Sequence, residues 1–250
     1  MFVVSFNYYG STDKGEVKEI NEDAFNGIIH NDVLFLMVAD GLGGKEGISP
    51  ASVIAVNEMR RYIERNHKSD DPEYLKDFIE NGFFWINRVL LAHKRANDTL
   101  YGGFGTAFTV CAINKNRNIV VGHAGNTRLY MLREGNLAQL TTDHTEAQKL
   151  FEAGKIKREE LRDHPERAIL TKALGHWEEI DFDIFGGRLL KEDIVLLCSD
   201  GVHALLTDDE IQAILLESGE SKTACEWLIQ GANRRGGIDN SVALISYINF

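Results

Sequence analysis

The sequence is short of proline, of cysteine, of positive charge and of long apolar runs, and each shortage excludes something. Three prolines in 250 residues leave no Pro-rich linker, and no Ser-rich stretch replaces it. The length suits one large or two small domains, and with no boundary signal the expectation is one domain over residues 1–250. The three cysteines, Cys111, Cys198 and Cys225, show no Cys-x-x-Cys spacing, which points to reduced thiols in a cytosolic protein. No apolar run is long enough to span a bilayer. The start, MFVVSFNYYGSTDKG, lacks the basic region and small-residue cleavage site of a signal peptide, so a cytoplasmic chain without a membrane partner is expected. Lys and Arg number 27 against 38 Asp and Glu, a net charge of −11. Such a balance argues against a nucleic-acid backbone as the main partner, which requires basic patches.

Present instead are short apolar or alternating runs rich in Val, Ile, Phe and Tyr. They cover 2–9, 33–39, 106–113, 119–123, 128–132, 194–198 and 242–248, and they read as strands. MLREGNLAQL reads as a hairpin turning at Glu134 to Asn136. Ser49-Pro50 and Asp71-Pro72 each look like a helix start, and the apolar residues after each fall on one helical face. Residues 208–217 and 221–233 read as two further helices, and 145–172 carries short helical pieces. The strands run in meanders rather than alternating with helices, which favours α+β, with antiparallel sheets covered by helices.

Carboxylates stand at strand ends. VLFLMVADG places Asp40-Gly41 after one apolar run, and DIVLLCSDG places Asp200-Gly201 after another. In GGIDNSVALISYI the order is reversed, with Asp239 before the last strand, and NEDAF adds Glu22 and Asp23. In an antiparallel pair the end of one strand lies beside the start of its neighbour, so these groups can meet at one sheet edge. Asp-Gly is also a common turn. A cluster of bare carboxylates is costly: two like charges about 4 Å apart repel by roughly 4 kcal/mol at an effective dielectric near 20. Magnesium or manganese reverses the sign and takes oxygen ligands, backbone carbonyls included. A glycine after the carboxylate lets the chain turn sharply. On this reading Asp40 bridges two ions and the Gly41 carbonyl binds one of them.

At these residues the chain resembles the metal-dependent serine/threonine protein phosphatases of type 2C, the PPM family. STDKGEVKEINEDAF resembles the opening Asp-x-Gly-x-x-Arg-x-x-Asn-Glu-Asp block, VADGLGG the Asp-Gly-x-Gly-Gly block, and GFGTAFTV the Gly-x-Gly-Thr-Thr block. GHAGNTRLYMLREG, LTTDHT, LLCSDGV and GIDNSVALI resemble later blocks, in order. The resemblance implies a four-layer α-β-β-α sandwich of two antiparallel sheets flanked by helices. It implies two manganese or magnesium ions, with Asp40 bridging them, Asp200 and Asp239 on the first, and Glu22 and the Gly41 carbonyl on the second. Asp23 would order coordinated water. The implied chemistry is hydrolysis of phosphoserine and phosphothreonine by direct attack of a metal-bridging hydroxide, with no phosphoenzyme. Implied partners are phosphorylated proteins, a Ser/Thr kinase among them, acted on by a monomer.

Three positions depart from the family pattern. Lys18 stands in place of a phosphate-binding Arg, and a point charge without the bidentate fork implies weaker substrate binding. Asn126 stands where bacterial relatives have an Asp that helps hold a third metal, so a third ion is expected to be held poorly or not at all. Leu42 stands where eukaryotic members often carry a His. Two other readings compete. A pseudophosphatase that binds phosphoproteins would accord with Lys18 and Asn126, but Glu22, Asp23, Asp40, Asp200 and Asp239 are all intact. A haloacid-dehalogenase-type enzyme with Asp40 as nucleophile needs a second Asp where Leu42 sits. Of the histidines, His144 reads as shaping a sheet edge, and His123, His164 and His176 as structural or exposed without an obvious partner.

Overall fold

The computed structural model describes residues 6–43, 50–96 and 103–250. Ten strands form two antiparallel sheets of five. The strands are β1 (Asn7–Asp13), β2 (Asp23–His30), β3 (Val33–Leu42), β4 (Gly105–Asn114) and β5 (Asn118–Ala124), then β6 (Arg128–Arg133), β7 (Asn136–Gln139), β8 (Asp183–Arg188), β9 (Ile194–Cys198) and β10 (Ser241–Tyr247). One sheet has the order β1-β10-β9-β6-β7, the other β2-β3-β4-β5-β8. The helices are α1 (Ala51–Asn66), α2 (Pro72–Ala96), α3 (Glu146–Glu152), α4 (Asp200–His203), α5 (Asp208–Glu217) and α6 (Ser221–Arg234).

The central strands are apolar on both sides because both faces of each sheet are covered. Along β3, Leu34, Leu36 and Val38 pack with Leu129, Leu197 and Leu244 between the sheets. The alternating Val33, Phe35, Met37 and Ala39 pack under α1 and α2 with Met59, Ile79 and Phe83. On the other sheet, Tyr130, Leu196 and Ala243 lie under α5 and α6 with Ile211, Cys225 and Leu228. The period-2 geometry of strands supplies both layers from one run, and the result is the α-β-β-α sandwich.

Most of the expected elements are present; the short α4 was not expected, and the strands differ as follows. The first strand starts at Asn7 and runs on through the polar Ser11 to Asp13, because β10 pairs with every residue of it; residues 2–5 of the expected run lie outside the described residues. The strands β2 and β8 were not expected. Asn26-Gly27 reads as a turn, yet Gly27 stays extended. The Tyr8 ring occupies the space a Cβ would need there, 2.1 Å from its nearest atom, and the Tyr8 hydroxyl donates to the Gly27 carbonyl at 2.8 Å. The edge strand β8 is half open to solvent and carries Gly186-Gly187, so it lacks the alternation that marks a strand. Of the helix starts, Ser49 lies outside the described residues, and Pro50 immediately precedes α1. Asp71 caps α2 as expected: its Oδ1 accepts from the amides of Glu73 and Tyr74 at 3.1 and 3.0 Å. The hairpin turns at Glu134-Gly135, both at positive φ.

Candidate metal centre

The register of the sheets sets the site. In the β2–β3 pair Asp23 lies directly opposite Asp40. In the other sheet β9 ends at Cys198, Asp200 opens α4, and Asp239 precedes the antiparallel neighbour β10. One cavity of about 110 Å³ is lined by Lys18, Glu22, Asp40, Gly41, Asp200 and Asp239, together with Leu42, Asn126 and Asn240. Asp23 lies behind this wall, buried, with its Oδ2 accepting from the Ser199 hydroxyl at 2.6 Å. All of the residues expected at the site are therefore gathered at one end of the two sheets.

The sharp turn expected at Gly41 is absent. Gly41 makes no turn, since β3 continues through Leu42. It permits close approach: its amide donates to the Glu22 carbonyl at 3.1 Å, and a Cβ there would sit 2.7 Å from that oxygen. Gly201 is tighter, because a Cβ would lie 1.8 Å from the Asn240 carbonyl oxygen. A bare backbone at 201 thus lets α4 press against the start of β10 and brings Asp200 towards Asp239.

Two side chains not singled out in the sequence fasten this arrangement. Asn240 is buried; its amide donates to the carbonyls of Lys14 and Ile20 at 2.8 and 2.9 Å, and its Oδ1 accepts from the Glu22 amide at 2.8 Å. It thereby ties the loop carrying Lys18 and Glu22 to the last strand. The Ser199 hydroxyl donates to Asp23 and accepts from the Val242 amide at 3.0 Å, joining both sheets. The only sequence signal for either was a polar residue embedded in an apolar strand junction.

Crowding has electrostatic consequences. Burial and the charges of Asp200 and Asp239 push the Asp23 carboxyl up to about 8, against the opposing bond from Ser199. Enclosure first, then Asp23, Asp200 and Asp239, holds Asp40 well above the usual carboxylate range. Asp200 is raised by burial and by Asp239, in part offset by Arg167 and by the Asn126 amide, which donates to Asp200 Oδ2 at 3.0 Å. Lys18 pairs with Asp239 at 2.8 Å. Burial alone would lower the Lys18 pKa, but that bond and the neighbouring charges raise it.

The donor set fits divalent metal. Several enclosed carboxylates disfavour one another's ionisation, which a hard cation corrects. The Oδ1 of Asn126 is buried without a hydrogen-bond partner at the wall of the cavity. Among the described residues no three acidic, His or Cys side chains yet converge as a ligand set. Asp239 is drawn to Lys18, Asp23 to Ser199 and Asp200 to Asn126. The Thr127 hydroxyl, buried nearby, bonds the Thr109 hydroxyl at 2.7 Å.

None of the four histidines singled out in the sequence lines the carboxylate cavity. His144 joins a sheet edge, as expected, accepting from the Gly125 amide at 3.1 Å and contacting Asp183 at 3.2 Å. His123 is not without partners: it is buried, bonding Thr109 at 2.8 Å and the Thr142 carbonyl at 3.0 Å. His164 accepts from the Glu166 amide at 3.2 Å.

Comparison with known proteins agrees with this geometry. Residues 14–226 match the family model described as Protein phosphatase 2C. Protein phosphatase PhpP of Streptococcus pneumoniae is 31% identical over 239 residues, covering 94% of this chain and 95% of that one. Serine/threonine phosphatase stp of Listeria monocytogenes is 29% identical over 236 residues, covering 94% and 92%. Among solved structures, serine/threonine phosphatase Stp1 from Staphylococcus aureus superposes with a TM-score of 0.91 at 26% identity, over 99% of this chain and 96% of that one. The catalytic domain of PstP in complex with 2 manganese ions gives 0.85 at 27% identity, over 98% and 99%. With a match over most of its length, and with the family's blocks gathered at one end of the sandwich, the chain belongs to the protein phosphatase 2C family.

Proposed function

We propose that this protein is a divalent-metal-dependent phosphatase that hydrolyses phosphoserine and phosphothreonine in proteins, with residues 1–250 as one catalytic domain. The observation that carries the reading is the convergence of Lys18, Glu22, Asp40, Gly41, Asp200 and Asp239 on one cavity from the ends of both sheets. Asp40 would be shared by two ions, with Asp200 and Asp239 holding the first, and Glu22 and the Gly41 carbonyl the second. Ions bound there would acidify water for attack on phosphorus and neutralise charge on the phosphoryl oxygens.

The chain's own groups do the rest. Asp23, fixed by Ser199, would orient water held beside the second ion. Lys18, paired with Asp239 at 2.8 Å on the same cavity wall, would be the cation that meets the phosphate dianion. Asn126 brings no charge to a third ion, and its amide is already committed to Asp200. Substrates are phosphorylated proteins, a Ser/Thr kinase among them, and the working form is a cytoplasmic monomer. No helix among the described residues is long and apolar enough to cross a membrane.

The test is hydrolysis of a phosphothreonine peptide by the full-length protein with and without manganese. Turnover is expected only with the metal, with no aspartyl-phosphate trapped, and is expected to vanish in Asp239→Asn while circular dichroism is retained. Inert protein at millimolar manganese, or turnover untouched by a chelator, overturns the proposal.

A further inference from the structure

Beside the carboxylate cavity lies a larger one, of about 340 Å³. The two share Asn126 and Asp200 as a common wall. Its size falls at the low end of the range for sites that hold a small ligand or a side chain or two. One side is formed by β6, the end of β7 and α4, the other by the 145–171 loop.

That loop is anchored rather than loose. The Glu146 amide donates to the Ile169 carbonyl at 2.9 Å, and the Thr171 amide to the His144 carbonyl at 2.9 Å. Lys172, just beyond, pairs with Asp181 and Asp183 at 3.0 and 3.1 Å. Side chains on the loop are thus held over the cleft.

Charge in the cleft is unbalanced in a way that points outward. Arg128 is spoken for, with three bonds to Asp143 at 2.8, 3.1 and 2.7 Å and one to the Tyr130 hydroxyl at 2.7 Å. Asp208 accepts from that same hydroxyl at 3.1 Å. His203 is neutral, since burial pushes it down to about 3, and it donates to the Asn126 carbonyl at 2.9 Å. Asp200 belongs to the carboxylate cavity. Arg158, Arg162 and Arg167 remain, and among the described residues none of them pairs with a carboxylate. Arg162 reaches only a carbonyl, that of Ala204, at 3.1 Å. Three guanidinium groups facing one cleft repel one another, in a chain that carries a net charge of −11. The same groups form a ready receptor for an anion, because the planar fork matches carboxylate and phosphate oxygens.

We propose that this cleft receives an anionic side chain of the substrate, a carboxylate or a second phosphate, from a residue close in sequence to the one being hydrolysed. The reading rests on the phosphatase function above. The shared wall makes the two cavities neighbours, and an extended chain advances about 3.3 Å per residue, so the anion sits within a few positions of the scissile phosphoresidue. The protein is thereby selective for acidic or multiply phosphorylated segments. Arg158 and Arg162 are the specificity-determining groups. Arg167 also biases Asp200, so it is left out of the test.

The experiment uses the full-length protein with manganese and three phosphothreonine peptides that differ only in flanking residues: alanine, glutamate, or a non-hydrolysable phosphonate in place of a second phosphate. KM and kcat are measured for each in the wild type, in Arg158→Gln/Arg162→Gln and in Arg158→Lys/Arg162→Lys. Anionic flanks are expected to lower the wild-type KM about five- to tenfold at low salt, with kcat moving less, and the advantage is expected to shrink as salt rises. The ratio falls towards one in the Gln variant. The Lys variant keeps much of the glutamate advantage but loses the extra preference for phosphonate. A phosphonate advantage above that of glutamate identifies the second phosphate as the preferred anion; equal advantages identify a carboxylate. A wild-type ratio of one, or an undiminished ratio in a cooperatively melting Gln variant, overturns the inference. Should the Gln variant fail to fold, the Lys variant and the salt dependence of the wild type decide. Failure of the alanine peptide to react at all sinks the phosphatase reading itself, and this one with it.

Discussion

At the scale of single residues the site is a set of opposed demands. Asp40 is enclosed with Asp23, Asp200 and Asp239, each raising the cost of its charge. Asp40→Asn removes that charge in a nearly isosteric side chain. The metal-free protein should therefore melt a few degrees higher, while turnover falls by at least about a hundredfold, since even the partners of metal ligands are worth ten- to a hundredfold. Manganese should no longer raise the melting temperature of the variant as it does that of the wild type. Near-normal turnover with full manganese occupancy refutes the assignment. Lys18 offers a finer test. It sits at 2.8 Å from Asp239 and reaches the same cavity, so Lys18→Ala should raise KM several-fold, and Lys18→Arg should lower it by adding the fork. Steady-state kinetics that leave KM unmoved in both variants take Lys18 away from the phosphate. The carboxylates were legible in the sequence because a charge ending an apolar run is anomalous. Ser199 and Asn240 were not, because their roles depend on contacts 176 and 218 residues away along the chain.

At the scale of elements, helices with a chemical start signal were the most legible. Asp71-Pro72 marks α2, and the carboxylate does cap two amides at its first turn. Losing an N-cap costs about 1 kcal/mol, so Asp71→Ala should lower the melting temperature by roughly 2–4 °C in a protein of this size, with kinetics unaffected because α2 starts far from the cavity walls. A calorimetric scan that shows no change argues that packing of the apolar face of α2 alone fixes the start. Strands hidden by local chemistry were the least legible. Asn26-Gly27 has the composition of a turn, and only the ring of Tyr8, crossing from the other sheet, explains why a glycine belongs in β2. Tertiary context of this kind overrides propensity and leaves no periodic trace. Gly41 and Gly201 teach the same lesson: the sequence marks that the backbone must be bare there, while the cause is a neighbouring carbonyl rather than a turn.

At the scale of the whole molecule, the centre lies between two sheets whose shared face is mainly apolar, with Leu36, Val38, Leu197 and Leu244 among the contacts. Asp23, Asp40 and Gly41 come from the sheet under α1 and α2, and Asp200 and Asp239 from the strand ends of the sheet under α5 and α6. Ions held between them would therefore act as a clasp on one end of the sandwich. Their binding also relieves the carboxylate repulsion that the folded state alone carries. A ligand that binds only the native state at a hundred times its dissociation constant adds about 2.7 kcal/mol, which corresponds to roughly 5–10 °C for a chain of this length. Saturating manganese should raise the melting temperature by that amount, and a chelator should reverse it. The gain should be local as well as global: hydrogen exchange should slow at the junctions around Asp200, Asp239 and Glu22, and much less at α2 or at the far end of the sheets. Uniform protection would mean that the metal stabilises without bridging the sheets, and an unchanged melting temperature at millimolar manganese would mean that these carboxylates do not bind it.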